Sequence, residues 1–488
     1  MKFSIPKEVE HVVETLTKGG YDAYLVGGCT RDLLIGRTPK DWDVTTNATP
    51  EQITALFPDE SFYNNDFGTV GVTPETEDES LKVIEVTPYR SEEGYTDSRR
   101  PDKVSFGCSL EDDLSRRDFT VNAIAYDPSK KDIVDLYKGQ EDLRAKVLRT
   151  VGDPDERFKE DALRMMRAIR LSAELDFALD GDTAAAIAKN SDNLSHISKE
   201  RIRDEFSRIL LSKQPMMAVV MLQKLGLLPH IAPDLERGIG VEQNQAHMFD
   251  VFEHLIRTMQ HGADKDWDLT IRLAGLFHDV SKPETRRFDK DKQDYTFHGH
   301  EVVGARVTKK ALENLKYPKK IVEKVTKLVR WHMFFSDPDQ ITLSAVRRMI
   351  RNVGEENIWD LLNLRICDRI GTGRPKEQPF RFRKYKSFVE EALRDPISVQ
   401  MLKVDGQRLM ELLHVKPGPK IGYILHSLLE EVLDDPSKNT AEILEKRAIE
   451  LNKMDLEELK KLADAGKKKQ QEEESKAIKE IRDKHHVS

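Results

Sequence analysis

The sequence predicts an α+β fold, with a mixed sheet near the N-terminus and helical domains after it. Two short apolar runs, at residues 21–26 and 81–86, alternate with amphipathic helical segments in the first 150 residues, a pattern typical of a mixed sheet covered by helices. From residue 154 onward the apolar spacing is helical throughout. A chain of 488 residues is too long for one ordinary core, so about three or more domains are expected.

The elements of the first domain, predicted at residues 1–150, follow from local signals. Thr49 followed by Pro50 predicts a helix start, because proline fits the first helical position. The predicted elements in chain order are an amphipathic helix at 9–17, a strand at 21–26, a helix at 49–57, and strands at 81–86 and 124–126.

Four regions follow the first domain. They are predicted as a helical neck at 151–235, a histidine-rich helical domain at 236–375, a helical tail at 376–440 and a charged C-terminal extension at 441–488. The run Arg374-Pro-Lys-Glu-Gln-Pro379 is typical of a linker. Residues 466–474 are Lys/Glu-rich without an apolar stripe, which predicts a solvated or frayed helix at best.

Composition restricts the class of protein. Lys and Arg number 78 against 86 Asp and Glu, a formal net charge of −8, so any nucleic-acid contact must come from local basic patches. The sequence has no apolar run of about 18 residues and no hydrophobic signal core at its start, so no membrane contact is expected. Cys29, Cys108 and Cys367 lie far apart, which predicts a reduced, cytoplasmic protein.

A Gly-Gly turn followed by two spaced aspartates is the most informative pattern. Gly27 and Gly28 lie between an apolar strand and a short helix, where glycine lets the backbone approach a phosphate closely. Asp41 and Asp43 are two residues apart, so a strand places both carboxylates on one face. Such a pair beside a phosphate-binding turn can hold Mg²⁺ against a nucleoside triphosphate, which predicts nucleotidyl transfer.

Further candidates for this site lie downstream. Glu85 is an acidic residue inside an apolar strand and is expected to join the aspartates; an edge-strand charge is the alternative. Arg116 and Arg117 offer planar donors suited to phosphate oxygens, and Asn122 can take a sugar hydroxyl. The alternative for this segment is a charged turn with Asp118 as its cap.

A helical segment at 160–167 is the candidate for reading the base. Asp161 and Arg164 are neighbours on a helix, with Arg167 one turn on. Cytosine and adenine both present an amino donor beside a ring-nitrogen acceptor, so a carboxylate beside a guanidinium matches them and rejects guanine and uracil. The alternative is a solvated face of salt bridges.

These motifs together resemble the class II tRNA nucleotidyltransferases, or CCA-adding enzymes, and the related bacterial poly(A) polymerases. The resemblance covers about residues 20–235 and implies a palm like that of polymerase β. It implies two Mg²⁺ ions on Asp41 and Asp43, a protein template for CTP and ATP, and a flexible loop at 89–101. The motifs are Leu25-Val-Gly-Gly28, Arg31-Asp32, Asp41-x-Asp43, Arg116–Ala123, Glu160-Asp161-x-x-Arg164 and Glu200–Glu205.

Two features qualify this resemblance. Residues 135–140 contain one glycine where the family often has two, at a turn expected to act as a hinge. A Pro-Gly-Pro turn at 417–419, flanked by Lys416 and Lys420, resembles a tRNA-binding tail and can hold an RNA phosphate at a helix start, or it is an ordinary loop.

The histidine-rich region predicts a second metal site. His254, the pair His278-Asp279, and Asp368 occur in that order on apolar helical segments, with His298, His300 and His332 between them; this is a ligand set for a divalent metal. Over about residues 250–370 the region resembles the HD phosphohydrolase superfamily, with Ser281 in place of a common Gly. The resemblance implies that His254, His278, Asp279 and Asp368 bind the metal, whose identity the sequence does not fix, and that His300 and His332 serve a second ion or the phosphate.

The sequence therefore predicts a tRNA nucleotidyltransferase that adds or repairs the 3′-terminal CCA of tRNA from CTP and ATP without a nucleic-acid template. Phosphodiesterase or phosphatase activity on RNA ends is expected of the HD region, unless that region is a structural platform. The alternatives are a poly(A) polymerase or an enzyme adding only CC or only A, a metal phosphohydrolase whose N-terminal half delivers RNA, and a non-catalytic RNA-binding scaffold. The oligomeric state is not predicted.

Overall fold

The computed structural model describes residues 3–63, 68–93, 103–244, 248–291, 293–334 and 341–463. The chain divides into two compact units, residues 1–233 and 234–488. The α+β fold class is confirmed, with the mixed sheet in the first unit and mainly helices after it. Of the helices in the described ranges, none is long and apolar enough to cross a membrane.

The first unit is built on a seven-stranded sheet of order β3-β4-β5-β2-β1-β8-β9. β2 and β5 are parallel, and the other neighbouring pairs are antiparallel. β6 pairs with β7, and β10 with β11. The strands of this unit are β1 (Tyr24–Val26), β2 (Trp42–Thr46), β3 (Ser61–Tyr63), β4 (Val70–Val72), β5 (Ile84–Pro88), β6 (Arg90–Glu93), β7 (Lys103–Phe106), β8 (Ala125–Asp127), β9 (Asp132–Val134), β10 (Val147–Leu148) and β11 (Ala178–Leu179).

The helices of the first unit begin with α1, whose apolar face is buried against the sheet. Thr49 caps α3 in a capping box with Gln52, and Pro50 is its first residue, as the sequence predicts. The helices are α1 (Lys7–Lys18), α2 (Gly28–Leu34), α3 (Pro50–Leu56), α4 (Leu110–Ser115), α5 (Gly139–Ala145), α6 (Pro154–Glu160), α7 (Leu163–Leu175), α8 (Gly181–Asn190), α9 (Lys199–Leu211), α10 (Pro215–Lys224) and α11 (Leu228–Ile231).

The predicted helix across residues 160–167 is interrupted. α6 ends at Glu160, and Asp161 has an extended backbone with φ −144° and ψ 104°. The Asp161 carboxylate accepts a hydrogen bond of 3.0 Å from the Leu163 amide at the start of α7. A residue that caps a new helix cannot also be an interior residue of the preceding one, so the helical spacing alone gave the wrong local backbone.

In the described residues of the second unit the elements are helices and one β-hairpin, which the helical spacing of residues 236–375 did not predict. Each strand of this hairpin has three residues, too few to show an alternating pattern. The elements are α12 (Pro233–Glu236), α13 (Val251–Asp264), α14 (Leu269–Phe277), α15 (Lys282–Thr285), β12 (Arg287–Asp289), β13 (Asp294–Thr296), α16 (His300–Asn314), α17 (Lys319–Trp331), α18 (Leu343–Val353), α19 (Ile358–Gly371), α20 (Phe380–Ala392), α21 (Gly406–Leu413), α22 (Pro419–Asp434) and α23 (Ala441–Asn452).

The segment predicted as a charged extension begins with a packed helix. Leu444, Ala448 and Leu451 of α23 are buried, at the i, i+4, i+7 spacing of one helix face. Ion pairs join α23 to its neighbours, Arg447 to Glu431 of α22 at 2.7 Å among them. Residues 466–474, and residues 94–101 of the predicted flexible loop, lie outside the described residues.

The turn at 135–140 uses its single glycine for close packing. A Cβ at Gly139 would lie 2.2 Å from the Thr120 carbonyl oxygen and 2.7 Å from Ile124 Cγ1. Lys138, the residue before it, has the left-handed conformation with φ 59° that favours glycine. The Asp135 carboxylate closes the turn by accepting from the Gly139 and Gln140 amides at 2.7 and 2.9 Å.

We therefore expect opposite effects from two neighbouring substitutions. Gly139→Ala should destabilise the first unit by about 2 kcal/mol, because the backbone must shift to admit the methyl group. Lys138→Gly should stabilise it by up to about 1 kcal/mol by relieving the left-handed strain. Urea unfolding monitored by fluorescence measures both. An equal loss of stability in the two variants would contradict this account of the turn.

Candidate nucleotide and metal sites

The Gly-Gly turn brings the backbone against the predicted catalytic side chains. Gly27 joins β1 to α2 with φ 78°, a conformation that favours glycine. A Cβ there would lie 3.2 Å from Asp43 Oδ2 and 3.4 Å from Arg117 Nη1. The turn, an acidic side chain and a basic side chain therefore border one small space, as a site for a metal-bound phosphate requires.

Three carboxylates lie near this space. Asp43 in β2 is directly opposite Glu85 in the parallel neighbour β5, and Asp41 is exposed just before β2. Burial raises the pKa of Asp43 more than any other influence. Arg117 lowers this pKa, whereas Glu85 and Asp41 raise it further, and the resulting pKa is about 6. Neighbouring carboxylates repel each other less when a cation lies between them, so this set fits a divalent ion such as Mg²⁺.

A buried aspartate that the sequence analysis missed orients the arginine pair. Asp113 is fully buried in α4 and contacts Arg116 Nη2 at 2.5 Å and Arg117 Nη2 at 3.1 Å. Thr45 of β2 donates to the same carboxylate at 3.2 Å. Burial raises the pKa of Asp113, but the two guanidinium groups outweigh it and the pKa is lowered. The i, i+3 and i, i+4 spacing of Asp113 to Arg116 and Arg117 is the signal that indicates this pairing.

A hydrogen-bonded network connects the Gly-Gly turn to the neck. Arg31 of α2 donates to Asn122 Oδ1 at 2.8 Å, and Asn122 Nδ2 donates to Asp118 Oδ1 at 3.1 Å. The other oxygen of Asp118 accepts from Arg167 Nε of α7 at 2.9 Å. Asn122, expected to take a sugar hydroxyl, is thus engaged at both ends of its amide inside the protein. Burial would raise the pKa of Asp118, but Arg167 and Asn122 lower it to about 2.

The two base-reading candidates have separate partners. Arg201 of α9 donates to both oxygens of Asp161, at 3.3 and 2.6 Å. Arg164 pairs with Glu160 at 2.5 Å and donates to the Arg116 carbonyl oxygen at 3.2 Å. The salt-bridged face proposed as the alternative thus exists, but its pairs join different segments and fix each side chain in place. Arg201 belongs to the predicted 200–205 motif, although its contact with Asp161 could not be inferred from spacing.

The predicted HD ligands of the second unit converge. His254 of α13, His278 and Asp279 after α14, and Asp368 of α19 offer ligand atoms within 4.8 Å of one another. Asp279, His300 and His332 form a second such group. His254 Nε2 lies 3.0 Å from His278 Nε2, 3.2 Å from Asp279 Oδ2 and 3.4 Å from Asp368 Oδ1. All these residues are buried.

Three of these rings are oriented by the backbone. Nδ1 of His278, His300 and His332 is 2.9, 2.6 and 2.7 Å from the carbonyl oxygen three residues earlier, as a protonated Nδ1 donor requires. This arrangement directs each Nε2 at the cluster, as is common for metal-binding histidines.

Asp279 is shared by the two ligand groups. Its Oδ2 faces His254 and His278, and its Oδ1 lies 3.1 Å from His300 Nε2 and 3.4 Å from His332 Nε2. Burial would lower the pKa of His278, but the carboxylates of Asp279 and Asp368 outweigh burial and raise it to about 10. The donor set fits one divalent ion on each side of Asp279.

The sequence analysis missed Lys282. Its Nζ lies 2.6 Å from Asp279 Oδ2 and 2.6 Å from Gln243 Oε1, and the side chain is almost fully buried. A lysine three residues after the His-Asp pair is the signal in the sequence. At the predicted tail site, Lys420 instead donates to the Asn452 carbonyl oxygen at 2.7 Å, and RNA binding there stays a prediction.

Comparison with known proteins identifies a domain of known type around each site. Family models match in order: "Poly A polymerase head domain" at residues 23–149, "Probable RNA and SrmB-binding site of polymerase A" at 176–239, and "HD domain" at 251–370. The CCA-adding enzyme of Lactobacillus delbrueckii subsp. bulgaricus is 31% identical over 432 residues, which is 88% of this chain and 94% of that protein. The chain belongs to the CCA-adding enzyme family.

Other members of the CCA-adding enzyme family are similar over different lengths. The CCA-adding enzyme of Geobacillus stearothermophilus is 44% identical over 229 residues, a match that spans 46% of this chain and 55% of that relative. An A-adding tRNA nucleotidyltransferase of Deinococcus radiodurans is 34% identical over 70% of this chain and 81% of its own length. The crystal structure of the Bacillus stearothermophilus CCA-adding enzyme in complex with CTP aligns with TM-score 0.65 and 26% identity, over 92% of this chain and 98% of that one.

The shared carboxylate predicts how metal binding responds to substitution. In a chain carrying Asp41→Ala and Asp43→Ala, so that the second unit alone contributes, we expect about two bound Mn²⁺ or Co²⁺ ions. Asp279→Ala should weaken the binding of both ions, whereas His332→Ala should weaken the binding of one, as measured by calorimetric titration. His298→Ala, which removes an exposed histidine, is the control. An equal loss of metal binding in Asp279→Ala and His332→Ala would show that Asp279 is not a ligand shared by the two ions.

Proposed function

We propose that the first unit adds the 3′-terminal CCA to tRNA from CTP and ATP without a nucleic-acid template. The observation that carries this proposal is the meeting of Gly27, Asp43 and Arg117 at one space, with Glu85 opposite Asp43. Membership of the CCA-adding enzyme family and the structural likeness to a relative bound to CTP support it.

The proposed reaction is an in-line displacement at phosphorus. The tRNA 3′-hydroxyl oxygen bonds to the α-phosphorus as the bond from that phosphorus to the pyrophosphate oxygen breaks; pyrophosphate leaves, and the hydroxyl proton passes to water. Asp41 and Asp43 would hold two Mg²⁺ ions, which when bound supply positive charge at the attacking and leaving oxygens. Arg116 and Arg117, fixed by Asp113, are oriented to bind triphosphate oxygens.

Base selection is assigned to Asp161 and Arg164. The carboxylate accepts from the exocyclic amino group of cytosine or adenine, and the guanidinium donates to the adjacent ring nitrogen. Guanine and uracil would leave these groups unpaired, which is costly in a partly buried site. Arg201 orients Asp161, and the Arg116 carbonyl oxygen orients Arg164, so the phosphate-binding segment and the base-reading helix are coupled.

We propose that the second unit is a metal-dependent phosphohydrolase acting on RNA 3′ ends. In the proposed step a water oxygen bonds to phosphorus, the bond from phosphorus to the ribose oxygen breaks, and that oxygen takes a proton. His254, His278, Asp279 and Asp368 would hold one divalent ion, and Asp279, His300 and His332 a second. The separated cysteines, two of them buried, support a reducing, cytoplasmic setting.

Addition of A alone is the second candidate function. The 34% identity to an A-adding tRNA nucleotidyltransferase over 70% of the chain favours it specifically. A tRNA transcript ending at the discriminator base separates the two activities from each other. If this transcript grows by three nucleotides with CTP and ATP, the result supports CCA addition. If it does not grow, but a transcript that already ends in CC gains one A, the result supports the second candidate.

Loss of the strand carboxylates should abolish nucleotide addition while leaving the second unit intact. For Asp41→Ala with Asp43→Ala we expect incorporation to fall about a thousandfold or more, because the metal ligands at the reacting phosphate are lost. Asp132→Ala, an exposed carboxylate at the edge of the same sheet, should have no effect. Unchanged incorporation in the double variant would refute the proposal.

Removing the residue that orients Asp161 should reduce base selectivity. For Arg201→Ala we expect the preference for CTP over UTP, measured as a ratio of kcat/KM values, to fall about tenfold or more, because Asp161 loses its fixed position. Arg203→Ala on the same helix, which removes an arginine paired with the neighbouring Asp204, is the matched control. Equal selectivity in the two variants would show that Asp161 is not oriented by Arg201.

A further inference from the structure

The hairpin β12–β13 lies beside the HD metal centre and carries an exposed aromatic surface. The segment that contains it begins after Lys282 and ends before His300, two residues of that centre. Ser281 Oγ donates to the His300 carbonyl oxygen at 2.7 Å, which joins the two ends of this segment. Lys282 Nζ lies 5.4 Å from the centre of the Phe297 ring. The base of the hairpin is therefore fixed to the centre itself.

Three side chains of the hairpin segment form a cluster. Phe288 and Tyr295 are directly opposite in the antiparallel register, with ring centroids 5.4 Å apart in an edge-to-face contact at 75°. The Arg286 guanidinium lies 3.5 Å above the Tyr295 ring. Phe288 is 52% exposed, so a large part of its surface is open to a ligand. Tyr295 thus contacts both a cation and a partly exposed aromatic ring.

Arg286 has few protein partners for its donors. Its Nε is buried without a hydrogen-bond partner, and its Nη2 lies 3.8 Å from a carboxylate oxygen of Glu242, which is 83% exposed. Glu242 precedes Gln243, the residue that accepts from Lys282, so Arg286 is on the part of the unit next to Lys282. A guanidinium held flat over a tyrosine ring, with an exposed carboxylate 3.8 Å from its Nη2, is suited to bind phosphate oxygens through its Nη groups.

We propose that this hairpin is the nucleotide-binding rim of the HD centre: the terminal base of an RNA 3′ end stacks on Phe288 while Arg286 binds a phosphate of the same end. The proposal rests on the hydrolase function proposed above and names its substrate class. Phe288 is two residues, about 7 Å of extended chain, beyond Arg286, which separates the aromatic and cationic groups along the rim. Stacking on an exposed aromatic ring suits any base, so the rim selects nucleotides over small phosphate esters without base specificity.

The test compares substrates with and without a base in the full chain. With Mn²⁺, hydrolysis of adenosine 3′-phosphate and of glycerol 2-phosphate is measured for the natural chain, Phe288→Ala, Arg286→Ala and Arg287→Ala. Phe288→Ala should raise the KM for the nucleotide about tenfold and leave glycerol 2-phosphate unchanged. Arg286→Ala should raise the KM for both about tenfold. Arg287→Ala, an exposed arginine on the same strand, should change neither.

Two results separate failure of this proposal from failure of the hydrolase function. If the natural chain hydrolyses the nucleotide and Phe288→Ala behaves like Arg287→Ala, the rim is refuted while the hydrolase stands. If the natural chain hydrolyses neither substrate, the hydrolase proposal fails, and calorimetric binding of adenosine 3′-phosphate then decides. Weaker binding in Phe288→Ala than in Arg287→Ala supports the rim, and equal binding in these two variants overturns it.

Discussion

The carboxylate of Asp118 joins the parts of the first unit that must act together. It accepts from Asn122, which in turn binds Arg31 beside the Gly-Gly turn, and from Arg167 of α7. A buried carboxylate is costly unless it is fully paired, so each of these partners is constrained by the others. The phosphate-binding turn and α7, the helix that carries Arg164, are therefore held in one arrangement. Asp113 fixes the arginine pair in the same way.

The second unit uses a buried carboxylate for a different purpose. Asp279 faces two groups of histidines with its two oxygens, and a lysine, Lys282, approaches one of them. In the first unit arginines neutralise the structural aspartates Asp113 and Asp118, whereas Asp41 and Asp43 are the carboxylates proposed to hold metal ions. In the second unit Lys282 and the histidines surround Asp279, and divalent ions bound to these groups would add positive charge on both sides of its carboxylate.

Much of this could be predicted from the sequence because the chemistry depends on local spacing. The capping of α3, the strand that carries Asp43 and the adjacent pair His278-Asp279 each follow from residues close together in the chain. The contacts of Arg201 with Asp161 and of Arg31 with Asn122 join residues 40 and 91 positions apart, and no local pattern indicates them. The helix is broken at Asp161, whose carboxylate accepts from both the Leu163 amide and Arg201 of α9, and the second of these contacts is not visible in local spacing.

The account depends most on the claim that Asp161 and Arg164 read the base while Arg116 and Arg117 bind the phosphates. The most direct test is a crystal structure of the chain with CTP and Mg²⁺. We expect the amino group of cytosine within hydrogen-bond distance of the Asp161 carboxylate, the ring nitrogen N3 at Arg164, and the triphosphate between Gly27 and Arg117. A triphosphate in that position with the base away from Asp161 and Arg164, or CTP bound elsewhere, would contradict the account.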